Sequence, residues 1–362
     1  MNNSVSANLD LLRAIAVCLV LAQHLLRRMQ VDHLGWAPVT SLGRFGVLLF
    51  FVHTCLVLLR SLQRTDGTGW RLCRHFYIRR IFRIYPLSLL AVFTALALHV
   101  DSDVNGIAGL SHAATPGKLT IFSNVALVQN WVGAKSIVNV LWSLPFEVQM
   151  YVFLPLIFFW VVKERRQWVL ISAWVLSVCV AEFYLRLFPF GPLSLLRFVP
   201  NFLPGVIAFR MRPTASVKSY AWPVFIAALI LVYTQYPTDE MGWVLCLVLG
   251  LGISQFREIS TCSVRYFANR IATYSYGIYI SHQFAIWFSL SVLAGCSLWL
   301  RVPLLVALLV LIPVVLYQTI EKPAIQFGTV LAMSANKAGA QKHQPRFLPA
   351  VDPETIVATV QN

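Results

Sequence analysis

The sequence predicts an all-α membrane protein, a polytopic bundle of about ten transmembrane helices with both termini cytoplasmic. Three observations lead there. Of 362 residues, 58% are hydrophobic and only 12% charged, a balance that water-soluble domains do not show. The apolar residues collect in runs long enough to enter a hydrocarbon layer about 30 Å thick. The basic residues gather in the short loops between those runs. A formal net charge of +15 therefore reflects topology and a lipid bilayer as partner, with no nucleic acid implied.

In chain order, the spans are 9–26, 45–62, 82–100, 144–162, 167–187, 194–210, 220–235, 241–256, 272–295 and 299–320. A weaker stretch, Leu119 to Trp131, is too short and polar to cross and reads as interfacial or re-entrant. With the N-terminus inside, inner loops and the tail hold twenty Lys and Arg residues and outer loops six, which sets the orientation. Residues 1–330 form the membrane unit, and 331–362 turn polar and read as a mobile cytoplasmic tail. The N-terminus lacks the basic region and cleavage site of a signal peptide, so the first helix is expected to be retained. No internal repeat speaks for an inverted-repeat transporter. Seven cysteines are scattered without CxxC or Cys/His spacing, so they read as small buried hydrophobes, with no disulfide framework, no metal site and no bound cofactor.

Charges inside apolar runs are the candidate functional residues, because each costs roughly 2.5 to 3.5 kcal/mol even on the lenient insertion scale. Arg13 and His24 of the first span are eleven residues apart. They return to one helix face, about 16 Å apart along the axis. The fourth span opens on LWSLPFEVQMY, which puts Glu147 in its first turn and Tyr151 one turn on. His24 and Glu147 are expected at similar depth in the outer half, the minimal parts of a general base and its orienting partner. FYIRRIFRIYP opens the third span. It places Arg79, Arg80 and Arg83 at a helix start, where free N–H groups and planar guanidiniums would cradle phosphates. In the ninth span Ser275, Tyr279 and His282 share a face, and with His53, Trp142, Ser143 and Tyr151 they are expected to line the cavity. Glu321 reads as the partner of a basic loop, and His33, His75, His112 and Glu182 take no role.

These pieces together resemble the acyltransferase-3 family of integral membrane acyltransferases, from Leu9 to about Phe327. Arg13 and His24 match its opening motif, GVLLFFVHTCLVL its second-span motif and FYIRRIFRIYP its basic segment. LWSLPFEVQMYVFLP, YSYGIYISH and IEKP match its later ones. HTC stands where Leu-Ser-Gly is commoner, and FEVQMY where Val-Glu-Glu-Gln-Phe-Tyr is commoner.

The resemblance implies transfer of an acyl group, usually acetyl from acetyl-CoA, to a hydroxyl of a glycan, glycolipid or small hydroxylated acceptor. It implies a multi-pass protein of the cytoplasmic (inner) membrane, without the extracytoplasmic esterase-like domain of many relatives. Arg13, Arg79, Arg80 and Arg83 would hold the acyl-CoA phosphates. His24, oriented by Glu147, would deprotonate the acceptor, or carry the acyl group itself in a two-step variant. The competing class is a transporter or flippase of an anionic or lipid-linked sugar.

Overall fold

A computed structural model describes residues 6–65, 69–100, 116–163, 166–187, 191–211 and 213–341. The protein is all-α: α1 Ala7–Arg28, α2 Thr40–Gln63, α3 Gly69–Ala97, α4 Lys118–Val125, α5 Leu144–Lys163 and α6 Gln167–Leu187 make the first half. The second half is α7 Val199–Arg210, α8 Ala221–Gln235, α9 Asp239–Gly252, α10 Cys262–Trp287, α11 Leu298–Leu316 and α12 Lys322–Gln341. All ten predicted stretches are helical over most of their length. Among the described residues, six segments are long and apolar enough to cross a membrane, namely α1, α2, α3, Asn139–Lys163, Gln167–Tyr184 and Leu298–Ser334.

Helix α2 is the axis. Phe45, Leu49, Val52, Leu56 and Leu59, spaced by alternate fours and threes along one face, are fully buried. Around it pack α1, α5, α7, α8 and α9. Small residues let the backbones touch. A Cβ at Gly46 would sit 2.6 Å from the Ala16 carbonyl oxygen on α1, and one at Gly205 on α7 would sit 2.5 Å from that of Val52. Near the first residues of α1, Asn8 ties three elements together: its side chain donates to the Arg257 carbonyl and accepts from the Ile259 N–H, and its carbonyl accepts from Trp222 Nε1.

Four departures from the sequence expectation matter for the site. Helix α3 starts at Gly69 instead of 82 and runs through Pro86, as neighbouring helices permit in membrane proteins. The sixth stretch is broken into a 3-10 turn, Pro192–Arg197, followed by α7. The last apolar helix passes through a π turn, Tyr317–Glu321, and continues as α12 across residue 330, so the expected domain limit falls inside a helix. Residues 342–362 lie outside the described residues, as do His112, Arg165 and Arg212.

The fourth departure is the chain before α5. From α4 it folds into the bundle, burying Leu127, Val140 and Leu141, and ends in a 3-10 turn, Asn139–Trp142. Non-helical backbone survives in such a place only when its polar groups find partners. Two side-chain amides supply them. Asn124 accepts from the Ile137 N–H at 2.9 Å and donates to the carbonyls of Thr120 and Lys135, and Gln129 donates to the Leu141 carbonyl at 3.1 Å.

Candidate active site

Three cavities follow one another through the bundle. The first, about 390 Å³, is lined by Gln23, His24, Arg44, Trp142, Arg197 and Tyr279 among others. The second, about 60 Å³, is lined by Arg13, Ser143, Glu147, Ser275, Tyr276 and Tyr279, and shares Val47 and Tyr279 with the first. The third, about 80 Å³, holds Arg13, His53, Arg80, Arg83, Glu147 and Tyr151, and shares Arg13, Thr54, Glu147 and Tyr276 with the second. A seam of three adjoining cavities, neighbours sharing a wall, therefore lies along the Arg13–His24 face of α1.

At the first cavity, His24 is half-buried and faces α10. Its ring centroid lies 5.2 Å from that of His282, at 46°, and Gln283 Nε2 stands 3.5 Å from His24 Nδ1. His282 is fully buried. Its Nδ1 lies 2.9 Å from the Ile278 carbonyl, which calls for a proton on that nitrogen and leaves Nε2 unprotonated in the neutral ring. That Nε2 has no hydrogen-bond partner among the described residues. Between the first and second cavities Tyr279 donates to the Val140 carbonyl at 2.8 Å, so the Ser143 hydroxyl, 2.7 Å away, must donate to Tyr279.

At the third cavity Tyr151 donates to Glu147, and the charges of Arg13, Arg80 and Arg83 all act on that carboxylate. Arg83 is ion-paired with the fully buried Glu321, carried on the π turn. The Arg83 guanidinium also lies 5.7 Å from the Tyr276 ring. Arg13 Nε and Arg80 Nε are buried without a hydrogen-bond partner among the described residues. Unsatisfied buried donors are uncommon away from ligand sites.

The profile of the family described as an acyltransferase domain matches residues 6–318 of this chain. The chain belongs to the acyltransferase-3 family. It is also similar to the candidate acetyltransferase ORF330 of Acidianus two-tailed virus, 26% identical over 263 residues that cover 66% of this chain and 72% of that relative. No solved structure matches. As an acyltransferase-3 protein, the chain is a membrane acyltransferase, and the seam is the place to seek its chemistry.

In this acyltransferase, several residues singled out in the sequence meet around the seam: Arg13, His53, Arg80, Arg83, Glu147 and Tyr151 at one end, His24 and Trp142 at the other, and Ser143, Ser275 and Tyr279 between. Two expected groupings do not form. His24 and Glu147 line different cavities, because the inward-folded chain before α5 opens that helix beside Arg13. The neighbours of His24 are His282 and Gln283 instead, and His282, expected to line the cavity, is buried behind it and lines none of the three. Arg79 lines none of the three cavities; on a helix it points about 100° away from Arg80. Since α3 begins at Gly69, the arginines stand in mid-helix, where backbone N–H groups are already used. Any phosphate cradle there rests on guanidiniums alone. Gln283, Arg44 and Arg197 escaped the sequence reading. The last had a signal, an arginine within an apolar stretch.

Proposed function

We propose that the protein transfers an acyl group, acetyl in the simplest case, from cytosolic acyl-CoA to a hydroxyl of a carbohydrate-containing or related acceptor. The observation that carries this reading is the row of adjoining cavities, with guanidiniums at one end and an imidazole in a roomy cavity at the other. Arg13 and Arg80, with free donors, hold the donor's phosphates, and Arg83 adds charge from its pair with Glu321. The narrow second cavity suits the thin pantetheine arm. Its reach matches the rise of about 16 Å that separates Arg13 from His24 on one helix.

In the first cavity His24 takes the proton of the acceptor hydroxyl as that oxygen attacks the thioester carbonyl. The C–S bond breaks, CoA leaves as a thiolate, and the proton on the imidazole returns to it. An amide offers both a donor and an acceptor, so Gln283 can hold Nδ1 in either tautomer and leave Nε2 for proton transfer. Glu147 lies beside the guanidiniums rather than beside His24. We assign it the role of a polar wall facing Arg13 and Arg80 across the third cavity, anchored by Tyr151.

The test is acetyl-CoA binding by the purified protein in detergent, read as thermal stabilisation, together with mass spectrometry of cell-surface glycans with and without the protein. Stabilisation should grow as RT ln(1 + [L]/Kd), reaching about 2.7 kcal/mol at a hundredfold excess over Kd, and the glycans should lose acyl groups when the protein is absent. No stabilisation by acetyl-CoA, with unaltered glycans, would sink the reading.

A further inference from the structure

The wall of the first cavity carries two arginines, Arg44 from α2 and Arg197 from the 3-10 turn before α7, and neither has a part in the proton transfer assigned to His24. Asp239 lies between them. Arg44 Nη2 bonds Asp239 Oδ1, and Arg197 Nη2 lies 2.5 Å from Oδ2. Both carboxylate oxygens are thereby taken, and one negative charge meets two positive ones. The two cations are the more accessible partners: about a third of each arginine side chain is exposed, against 18% for Asp239. Among the described residues, no carboxylate lines the cavity itself. Glu240, next in the chain, is exposed and also absent from the lining. The cavity therefore presents two guanidiniums and no anion of its own.

This arrangement is held in place by the fold. The Thr238 side chain caps α9, accepting from the Met241 N–H at 3.2 Å, so Asp239 sits in the first helical turn, where a carboxylate is favoured. Trp243, almost fully buried, donates to the carbonyl of Arg197 at 3.1 Å and fixes the backbone from which that arginine projects. Arg197 Nε has no partner among the described residues. Planar guanidiniums with spare donors suit a second carboxylate or a phosphate, which they can grip by paired hydrogen bonds. Trp142, Ser41 and Gln23 line the same cavity. A lining that combines an aromatic side chain with small polar groups suits a sugar, and a volume of about 390 Å³ lies within the range of small-ligand pockets, roughly 300 to 1,000 Å³.

We propose that the acceptor is anionic: a sugar or related polyol bearing a carboxylate or phosphate, which Arg44 and Arg197 hold so that one of its hydroxyls faces His24. This rests on the acyl-transfer reading, since it names the acceptor of that reaction.

The experiment compares, on the purified full chain in detergent, thermal stabilisation by methyl β-glucuronide, glucose 1-phosphate and the neutral methyl β-glucoside at equal millimolar concentrations. Either anionic probe should bind at least tenfold more tightly than the glucoside, a difference of about 1.4 kcal/mol, and the stronger of the two tells carboxylate from phosphate. Arg197→Gln and Arg44→Gln should each erase most of that preference, and Arg197→Lys should keep part of it. Equal binding of all three probes, no binding of either anion, or a preference that survives both neutralising substitutions would overturn the proposal. Should the glutamine variants fail to fold, the comparison on the unaltered chain decides alone. Acetyl-CoA stabilisation is measured in parallel: if it is present and the anion preference absent, the acceptor proposal fails while the acyl-transfer reading stands.

Discussion

His24 is the residue on which the chemistry turns. It lines the first cavity, away from the arginines of the third. The expected result for His24→Ala is a protein that is still stabilised by acetyl-CoA and loses transfer by about 10² to 10⁴-fold, the usual contribution of a general base. Normal transfer by the purified variant would remove His24 from the mechanism. The Arg83–Glu321 pair makes a different point. Glu321 is fully buried, so Arg83→Ala strands a charge and should destabilise the protein by about 3 kcal/mol, the low end for breaking a buried pair. The double variant Arg83→Ala/Glu321→Gln should recover much of that stability without recovering donor affinity. Chemical denaturation of all three forms, with acetyl-CoA titrations, separates the two effects. If the double variant is no more stable than the single, the pair is not what holds Glu321 in place.

At the scale of elements, the chain from α4 to α5 decides where the site lies. Because it folds inward, Glu147 enters beside Arg13, and Ser143 reaches Tyr279 in the seam. One side chain holds much of that segment: Asn124 makes three hydrogen bonds to backbone groups of Thr120, Lys135 and Ile137. Asn124→Ala leaves a buried N–H and a carbonyl unpaired, at about 1 to 3 kcal/mol for such a group. We expect lowered thermal stability and a loss of transfer larger than the loss of acetyl-CoA affinity, since the segment forms part of the wall at Val140 and Trp142. Unchanged stability in Asn124→Ala would mean that the segment is held from elsewhere.

For the whole molecule, the proposed topology can be read from two native cysteines. Cys296 lies between α10 and α11, Cys262 at the start of α10, and both are exposed. With both termini inside, a membrane-impermeant maleimide should label Cys296 in intact cells and reach Cys262 only after permeabilisation. The reverse pattern would invert the orientation and put the donor site on the wrong side for cytosolic acyl-CoA.

What the sequence determined by itself is the class and the parts. Hydropathy in long runs specifies helices, because in lipid each backbone must satisfy its own polar groups; the ten stretches are helical over most of their length, and six segments among the described residues are long and apolar enough to cross. The spacing of Arg13 and His24 is a property of any helix, so their shared face was legible too. The tertiary structure alone decided the partners. Whether Glu147 lies beside His24 or Arg13 depends on how deep the chain before α5 folds, which rests on amide bonds from Asn124 and Gln129 that no periodicity records. The Arg83–Glu321 pair joins residues 238 apart in sequence through a π turn. Likewise, Arg44 and Arg197 become a pair of cations on one wall only because Asp239 is held between them. Local periodicity fixes which way a side chain faces on its own helix; only packing fixes what it meets there.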